Sequence, residues 1–172
     1  MRRITLLALV AAAVACALPA GTGAAARVST CALDREYLTE SISGSLFEIA
    51  GGRIAQRNSA TPEVRQLAAR LIADHSKSLD RAARLSRSLG LAVPGNPNPM
   101  QHWQLHVVSG LSGAAFDHSY AWLEVADHVV DIEHARTESR NGCHPGVRTL
   151  AKNALPTLQL HLRLATLAQK TT

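Results

Sequence analysis

Four segments of the chain repeat apolar residues at helical spacing, and no segment alternates at the period of a β-strand. The sequence therefore predicts an all-α protein with long helices at 34–57, 61–90, 112–139 and 145–169. Asp34 is predicted to cap the first helix, and Thr61 followed by Pro62 is typical of a helix start. Pro156 lies inside the fourth segment, where a proline removes one backbone hydrogen bond and favours a kink.

The lengths of the connections predict the topology. Residues 58–60 and 139–144 are short turns, so each turn is expected to join two antiparallel neighbours. Residues 91–111 begin with a proline-rich stretch and leave room for a short helix at 100–109. A connection of this length between the second and third helices predicts a four-helix bundle with one long crossover, which is the ferritin-like connectivity.

The first 26 residues have the three parts of a secretory signal peptide. Two arginines precede an uncharged apolar run at 4–15, and a small-residue stretch ends at Ala26. The apolar run is shorter than the ~20 residues that cross a bilayer. We therefore expect a mature domain of residues 27–172 that is secreted, periplasmic or held at the cell surface. Cys16 follows Ala-Val-Ala, which leaves a lipoprotein as the alternative.

Composition excludes some functional classes. Of the 172 residues, 47% are hydrophobic and 3% aromatic, which favours helices packed through small and aliphatic side chains. The formal net charge of +5 comes from scattered basic residues without interleaved aromatics, so no nucleic-acid partner is predicted. The mature chain has no segment apolar enough to span a membrane, and nothing indicates a particular protein partner. Phosphate-loop, dinucleotide and nucleophile-elbow motifs are absent from the sequence, and no catalytic residue is assigned.

Polar residues occupy inward positions on all four predicted helices. His75 and His161 lie on apolar stripes, whereas Glu48 lies at the edge of the apolar face of its helix. Helical bundles bind metal ions through side chains on facing helices. The predicted ligands are Glu48, His75, His128 and His161, with Glu124 and Asp131 as further candidates. The remaining histidines are predicted in loops or on helix surfaces: His102, His106, His118, His134 and His144.

Two interpretations of these polar residues stay open. A buried network of histidines and carboxylates that only fixes the packing would produce the same pattern as a metal site. A di-iron centre would require glutamates three residues before His75 and His161, and Ile72 and Leu158 occupy those positions. A histidine-rich site suits Zn, Cu or Fe, and a protein without a cofactor is the other option. A non-enzymatic exported domain is favoured, with a metal-dependent redox enzyme of the ferritin-like kind as the alternative.

Several short motifs, taken in order, resemble a bacterial exported ferritin-like family of unknown function whose members are often described as membrane proteins. The motifs are EIAGGRIA at 48–55, PEV at 62–64, ADHS at 73–76, FDHSY at 116–120, DH at 127–128 and LPTLQLHL at 155–162. The resemblance implies a ferritin-like four-helix fold and an extracytoplasmic setting, and it places Glu48 and the three histidines in the family's pattern. It supplies no activity. Relatives commonly carry an acid at the position of Val129, so Glu124 or Asp131 would have to replace it here.

Cys31 and Cys143 are predicted to form a disulfide. Both remain after removal of the signal peptide, and an exported protein meets an oxidising compartment. In the crossover topology the start of the first helix and the turn before the fourth lie at the same end of the bundle. In an up-down-up-down bundle they would lie at opposite ends, too far apart for a disulfide.

Overall fold

The computed structural model describes residues 29–172, which form five α-helices and contain no β-strand. The helices are α1 (Ala32–Asn58), α2 (Pro62–Ser88), α3 (Pro99–Ser109), α4 (Gly113–Asn141) and α5 (Pro145–Thr171). The all-α prediction is confirmed, and α3 occupies the long connection. Helix α5 continues through Pro156. The predicted signal peptide and Cys16 lie outside the described residues.

The start of α1 differs from its prediction. Asp34 is not the capping residue, because α1 begins at Ala32 and Cys31 is the N-cap. The Asp34 carboxylate accepts backbone N–H groups from Cys31 at 2.7 Å and from Cys143 and His144 at 3.0 Å. Burial raises the pKa of Asp34, but these hydrogen bonds outweigh burial and hold it below its usual value. The carboxylate therefore joins the start of α1 to the start of α5.

A disulfide links Cys31 to Cys143, with 5.8 Å between their Cα atoms and a sequence separation of 112. Its position places the start of α1 beside the α4–α5 turn. Bridges of this kind typically stabilise a fold by ~2–4 kcal/mol. The predicted disulfide is thus present in the structure.

The other end of the molecule is fixed by hydrogen bonds between the α1–α2 turn and the start of α4. The Asn58 side chain donates to the Leu111 carbonyl at 3.0 Å, and the Thr61 hydroxyl donates to the Asp117 carboxylate at 2.6 Å. Helices α2 and α4 therefore start at the same end and run in the same direction. The chain between them, which contains α3, passes from one end of the long helices to the other.

Each long helix carries its polar inward residues between two apolar clusters. Helix α1 packs on α2 and α4, and α5 packs on the same two helices. One cluster lies towards the α1–α2 turn and the other towards the disulfide. On α2, for example, His75 lies between Leu71 of the first cluster and Ala82 of the second. On α5, His161 lies between Leu158 and Ala165 in the same way. The polar residues consequently form a layer across the middle of the bundle.

Close contact between α1 and α2 depends on Gly52. A Cβ atom at this position would lie 2.8 Å from Ile72 Cγ1 and 3.0 Å from the Ala68 carbonyl oxygen. At Gly44, on the same helix, a Cβ atom would meet only the Gln101 side chain, at 3.9 Å. One glycine is therefore required by packing, whereas the other has room for a methyl group.

We expect Gly52→Ala to lower the free energy of unfolding by about 1–3 kcal/mol, because the helices must separate to admit the methyl group. Gly44→Ala is the matched control and should raise the free energy of unfolding by about 0.5–1 kcal/mol through helix propensity. Urea denaturation of both variants measures the difference. Equal stability of the two variants would contradict the close approach at Gly52.

Candidate metal centre

Three imidazole rings from three different helices meet in the polar layer. His75 lies on α2, His128 on α4 and His161 on α5, and each is at most 5% exposed. Their ring centroids are 5.2–5.9 Å apart. One ring nitrogen from each lies within 4.8 Å of the other two. The structure thus brings together the three histidines that the sequence singled out.

The tautomer of His128 follows from its hydrogen bond within α4. Its Nδ1 atom lies 2.8 Å from the backbone carbonyl oxygen of Glu124. A carbonyl can only accept, so Nδ1 must carry the proton. In the neutral ring, Nε2 is then a bare lone pair, and this atom faces His161.

The tautomer of His161 is set by Asp74 on the neighbouring helix α2. His161 Nε2 lies 3.1 Å from Asp74 Oδ2, and the same oxygen accepts a hydrogen bond from Arg70 Nε at 2.5 Å. Burial raises the pKa of Asp74, but the hydrogen bonds from His161 and Arg70 outweigh burial and keep it below its usual value. The carboxylate is ionised and accepts the Nε2 proton, which leaves His161 Nδ1 as a bare lone pair.

His75 also directs its N–H group away from the centre. The Ser45 hydroxyl donates to the Ser41 carbonyl at 2.8 Å, so its oxygen is free to accept from His75 Nδ1 at 3.4 Å. The other nitrogen, Nε2, has no hydrogen-bond partner within residues 29–172. All three rings therefore present an unprotonated nitrogen.

Two of these lone pairs face each other at close range. His128 Nε2 and His161 Nδ1 are 3.2 Å apart, and neither carries a proton when both rings are neutral. Burial lowers the pKa of all three histidines, well below the usual value for His75 and to about 4 for His128. Protonation of a ring is therefore unfavourable near neutral pH and does not remove the repulsion between the two lone pairs. A metal cation accepts lone pairs from neutral imidazoles and would remove it.

Two glutamates adjoin the histidines on the far side of His128. Glu124 Oε2 lies 3.7 Å and Glu48 Oε1 4.0 Å from His128 Nδ1, and both side chains are buried. Burial raises the pKa of Glu48 well above its usual value, and the nearby Glu124 and Asp127 raise it further. Burial likewise raises the pKa of Glu124 to about 8. These carboxyl groups hold protons near neutral pH. Loss of those protons would leave negative charge beside a bound cation.

Asp131, the remaining predicted ligand, is half-buried and lines a small cavity together with His75. It belongs neither to the group of ring nitrogens from His75, His128 and His161 nor to the group of ligand atoms from Glu48, Glu124 and His128. Burial raises the pKa of Asp131 well above its usual value, and Asp127 and Glu40 raise it further. Asp117, also on α4, lies at the end of the bundle near the α1–α2 turn, where it accepts a hydrogen bond from Thr61.

Sequence reasoning missed three residues of this layer. Asp74 orients His161, Asp127 contributes charge near the glutamates, and the Tyr120 hydroxyl is buried without a hydrogen-bond partner among the described residues. The repeated Asp-His pairs, at 74–75 and 127–128, were the available pattern. The pattern could not show that Asp74 binds a histidine on another helix.

Comparison with known proteins gives a family. The model of the "Domain of unknown function (DUF4142)" matches residues 17–167, which include every residue of the polar layer. The chain belongs to the DUF4142 family. No curated protein and no solved structure matches it. Among residues 29–172 of this DUF4142 member, no helix combines the length and hydrophobicity needed to cross a membrane.

The lowered histidine pKa values predict a pH effect on the metal-free protein. His75 is neutral when folded, so its contribution to stability is complete above its unfolded pKa of ~6.5 and is lost as pH falls towards the folded value. Between pH 6.5 and 4.5 the wild type should lose stability relative to His75→Leu, by up to about 1.4 kcal/mol per pH unit. Urea denaturation in a chelator at several pH values measures this difference. Parallel curves would mean that His75 is not buried as the neutral ring.

Proposed function

We propose that this protein is an exported helical-bundle domain of the cell envelope that binds one transition-metal dication through His75, His128 and His161. The long connection between α2 and α4 supports a ferritin-like four-helix arrangement, and the signal-peptide pattern in the sequence of residues 1–26 supports export. The disulfide between Cys31 and Cys143 is consistent with an oxidising compartment.

The observation that carries this proposal is the pair of facing lone pairs on His128 and His161. Two nitrogens bound to one tetrahedral ion at ~2.05 Å would lie about 3.3 Å apart, close to the 3.2 Å between these atoms. Each N–H group points outward to a carbonyl, a carboxylate or a hydroxyl. Metal-binding histidines are oriented by such outer hydrogen bonds, because the bonds fix the tautomer and the direction of the ring.

The ligand chemistry favours Zn²⁺, Cu²⁺ or Fe²⁺ over Ca²⁺ or Mg²⁺. Neutral imidazole suits the first three ions, whereas the latter two prefer oxygen ligands. Glu48 and Glu124 lie on the other side of His128 and would supply the compensating negative charge. They must lose protons to do so, and metal affinity should therefore rise with pH.

Binding is favoured over catalysis because the space beside the histidines is small. The cavity that reaches His75 has a volume of about 40 Å³, whereas sites for organic ligands usually occupy ~300–1,000 Å³. Water or a diatomic molecule fits in this space, and an organic substrate does not.

A redox enzyme of the ferritin-like kind is the second candidate. Three nitrogen ligands leave a coordination position open, and the buried carboxyl groups of Glu48 and Glu124 can donate protons nearby. Consumption of oxygen or peroxide by the metal-loaded protein distinguishes this function from simple binding. Turnover that is lost in Glu124→Gln while the metal stays bound would favour the enzyme.

Elemental analysis of untagged, exported protein tests the metal site. We expect about one equivalent of metal per chain, because the three histidines form one site. The double variant His75→Ala/His161→Ala should retain less than about a tenth of an equivalent, since only one imidazole remains.

The matched control for this test removes a different histidine pair. His102 and His106 are exposed and four residues apart on α3, so His102→Ala/His106→Ala deletes two surface imidazoles. This control should keep the wild-type metal content. A wild type without metal, which also fails to bind added Co²⁺, would leave the polar layer as a hydrogen-bond network only.

Asp74→Asn should weaken metal binding by about 10–100-fold, because His161 loses the ionised partner that fixes its tautomer. Asp80→Asn is the matched control: it removes the same charge from the same helix, at an exposed residue paired with Arg84. Co²⁺ titration of the metal-free variants measures both affinities. Equal affinities would show that Asp74 has no role in positioning His161.

A further inference from the structure

Two cavities with shared wall residues lie between the helices, and one of them is lined by His75. The inner cavity, of about 40 Å³, is lined by residues from all four long helices, including Ser45, His75 and Asp131. The outer cavity, of about 210 Å³, lies between α1 and α4. The two share Tyr37, Glu40 and His134 in their walls. We call the two cavities together the α1–α4 vestibule, and His75 is part of its wall.

The lining of the vestibule suits a cation. The acidic side chains in its walls near the surface are Glu36 and Glu40, and Glu40 also lines the cavity beside His75. At the inner end, the buried His75 carries a nitrogen with no partner in the described part of the chain. A negative passage with low-dielectric walls raises the local concentration of cations and the rate at which they associate.

We propose that a divalent transition-metal ion reaches the buried histidines through the α1–α4 vestibule, guided by Glu40. This inference rests on the proposed function, since it names the route to the same site. Glu40 is half-buried and lines both cavities, so its carboxylate would attract the ion on its way inward.

Apolar packing disfavours entry of an ion from either end of the bundle. The three rings are at most 5% exposed, and apolar clusters cover them towards both ends of the bundle. An ion that arrived through either cluster would have to shed its water in apolar surroundings, which is strongly unfavourable. The hydroxyl groups of Ser41, Ser45 and Ser78 in the inner cavity offer oxygen contacts while water is lost.

Stopped-flow mixing of Co²⁺ with metal-free, full-length mature protein tests the route. At low ionic strength, Glu40→Gln should slow association by about five- to tenfold, and added salt should reduce the difference. The matched control is Glu133→Gln, which makes the same substitution at an exposed position outside the vestibule. It should load at nearly the wild-type rate.

A steric variant separates the route from the ligands. His134→Trp narrows the mouth of the vestibule at an exposed residue, and it should slow association and dissociation by the same factor while the dissociation constant stays unchanged. His118→Trp, exposed elsewhere on α4, is its control.

Three results would overturn the route. The first is loading of Glu40→Gln and His134→Trp at the wild-type rate. The second is equal slowing by Glu133→Gln, which would indicate a general charge effect. The third is weaker equilibrium binding of Glu40→Gln at an unchanged association rate, which would make Glu40 a ligand. A wild type that binds no Co²⁺ would instead refute the proposed function, and the route would fall with it.

Discussion

In the middle of this bundle, three imidazoles direct their N–H groups outward, and two of them, His128 and His161, are left with lone pairs that face each other at 3.2 Å. The Glu124 carbonyl, the Asp74 carboxylate and the Ser45 hydroxyl accept those protons. Such an arrangement is unfavourable in a buried layer without a cation, because burial also disfavours the imidazolium forms. The remaining features of the layer can be understood as adjustments to this constraint.

The fold keeps the polar layer in register across four helices. Two apolar clusters flank it on every long helix, so a slip of one turn would exchange polar residues for apolar ones. Asp34 and the disulfide between Cys31 and Cys143 hold the helix ends on one side. On the other side, Thr61 holds the start of α4, and Gly52 lets α1 and α2 approach closely. Precision in these outer contacts fixes the imidazole geometry at the centre.

Charge in the layer is distributed in a way that suits an ion that arrives from one side. The ionised Asp74 forms an ion pair with Arg70 and lies on the outer side of His161. Glu48 and Glu124 have raised pKa values and would keep their protons until a bound cation stabilises their negative charge. Buried carboxyl groups of this kind become negatively charged when metal binding releases their protons. The DUF4142 member described here therefore combines a neutral nitrogen donor set with an adjustable carboxylate neighbour.

Periodicity by itself determined the all-α class, the four long helices and the chemistry of the inward residues, because each depends on spacing within one segment. It also singled out His75, His128 and His161 as inward residues. Tertiary structure decided what local pattern cannot encode. Asp34 is no cap, since its partners lie 109 and 110 residues away. Asp74 belongs to the layer only because α5 brings His161 to it. Tautomers and ligand geometry depend on contacts between helices, and those exist only after the chain has folded.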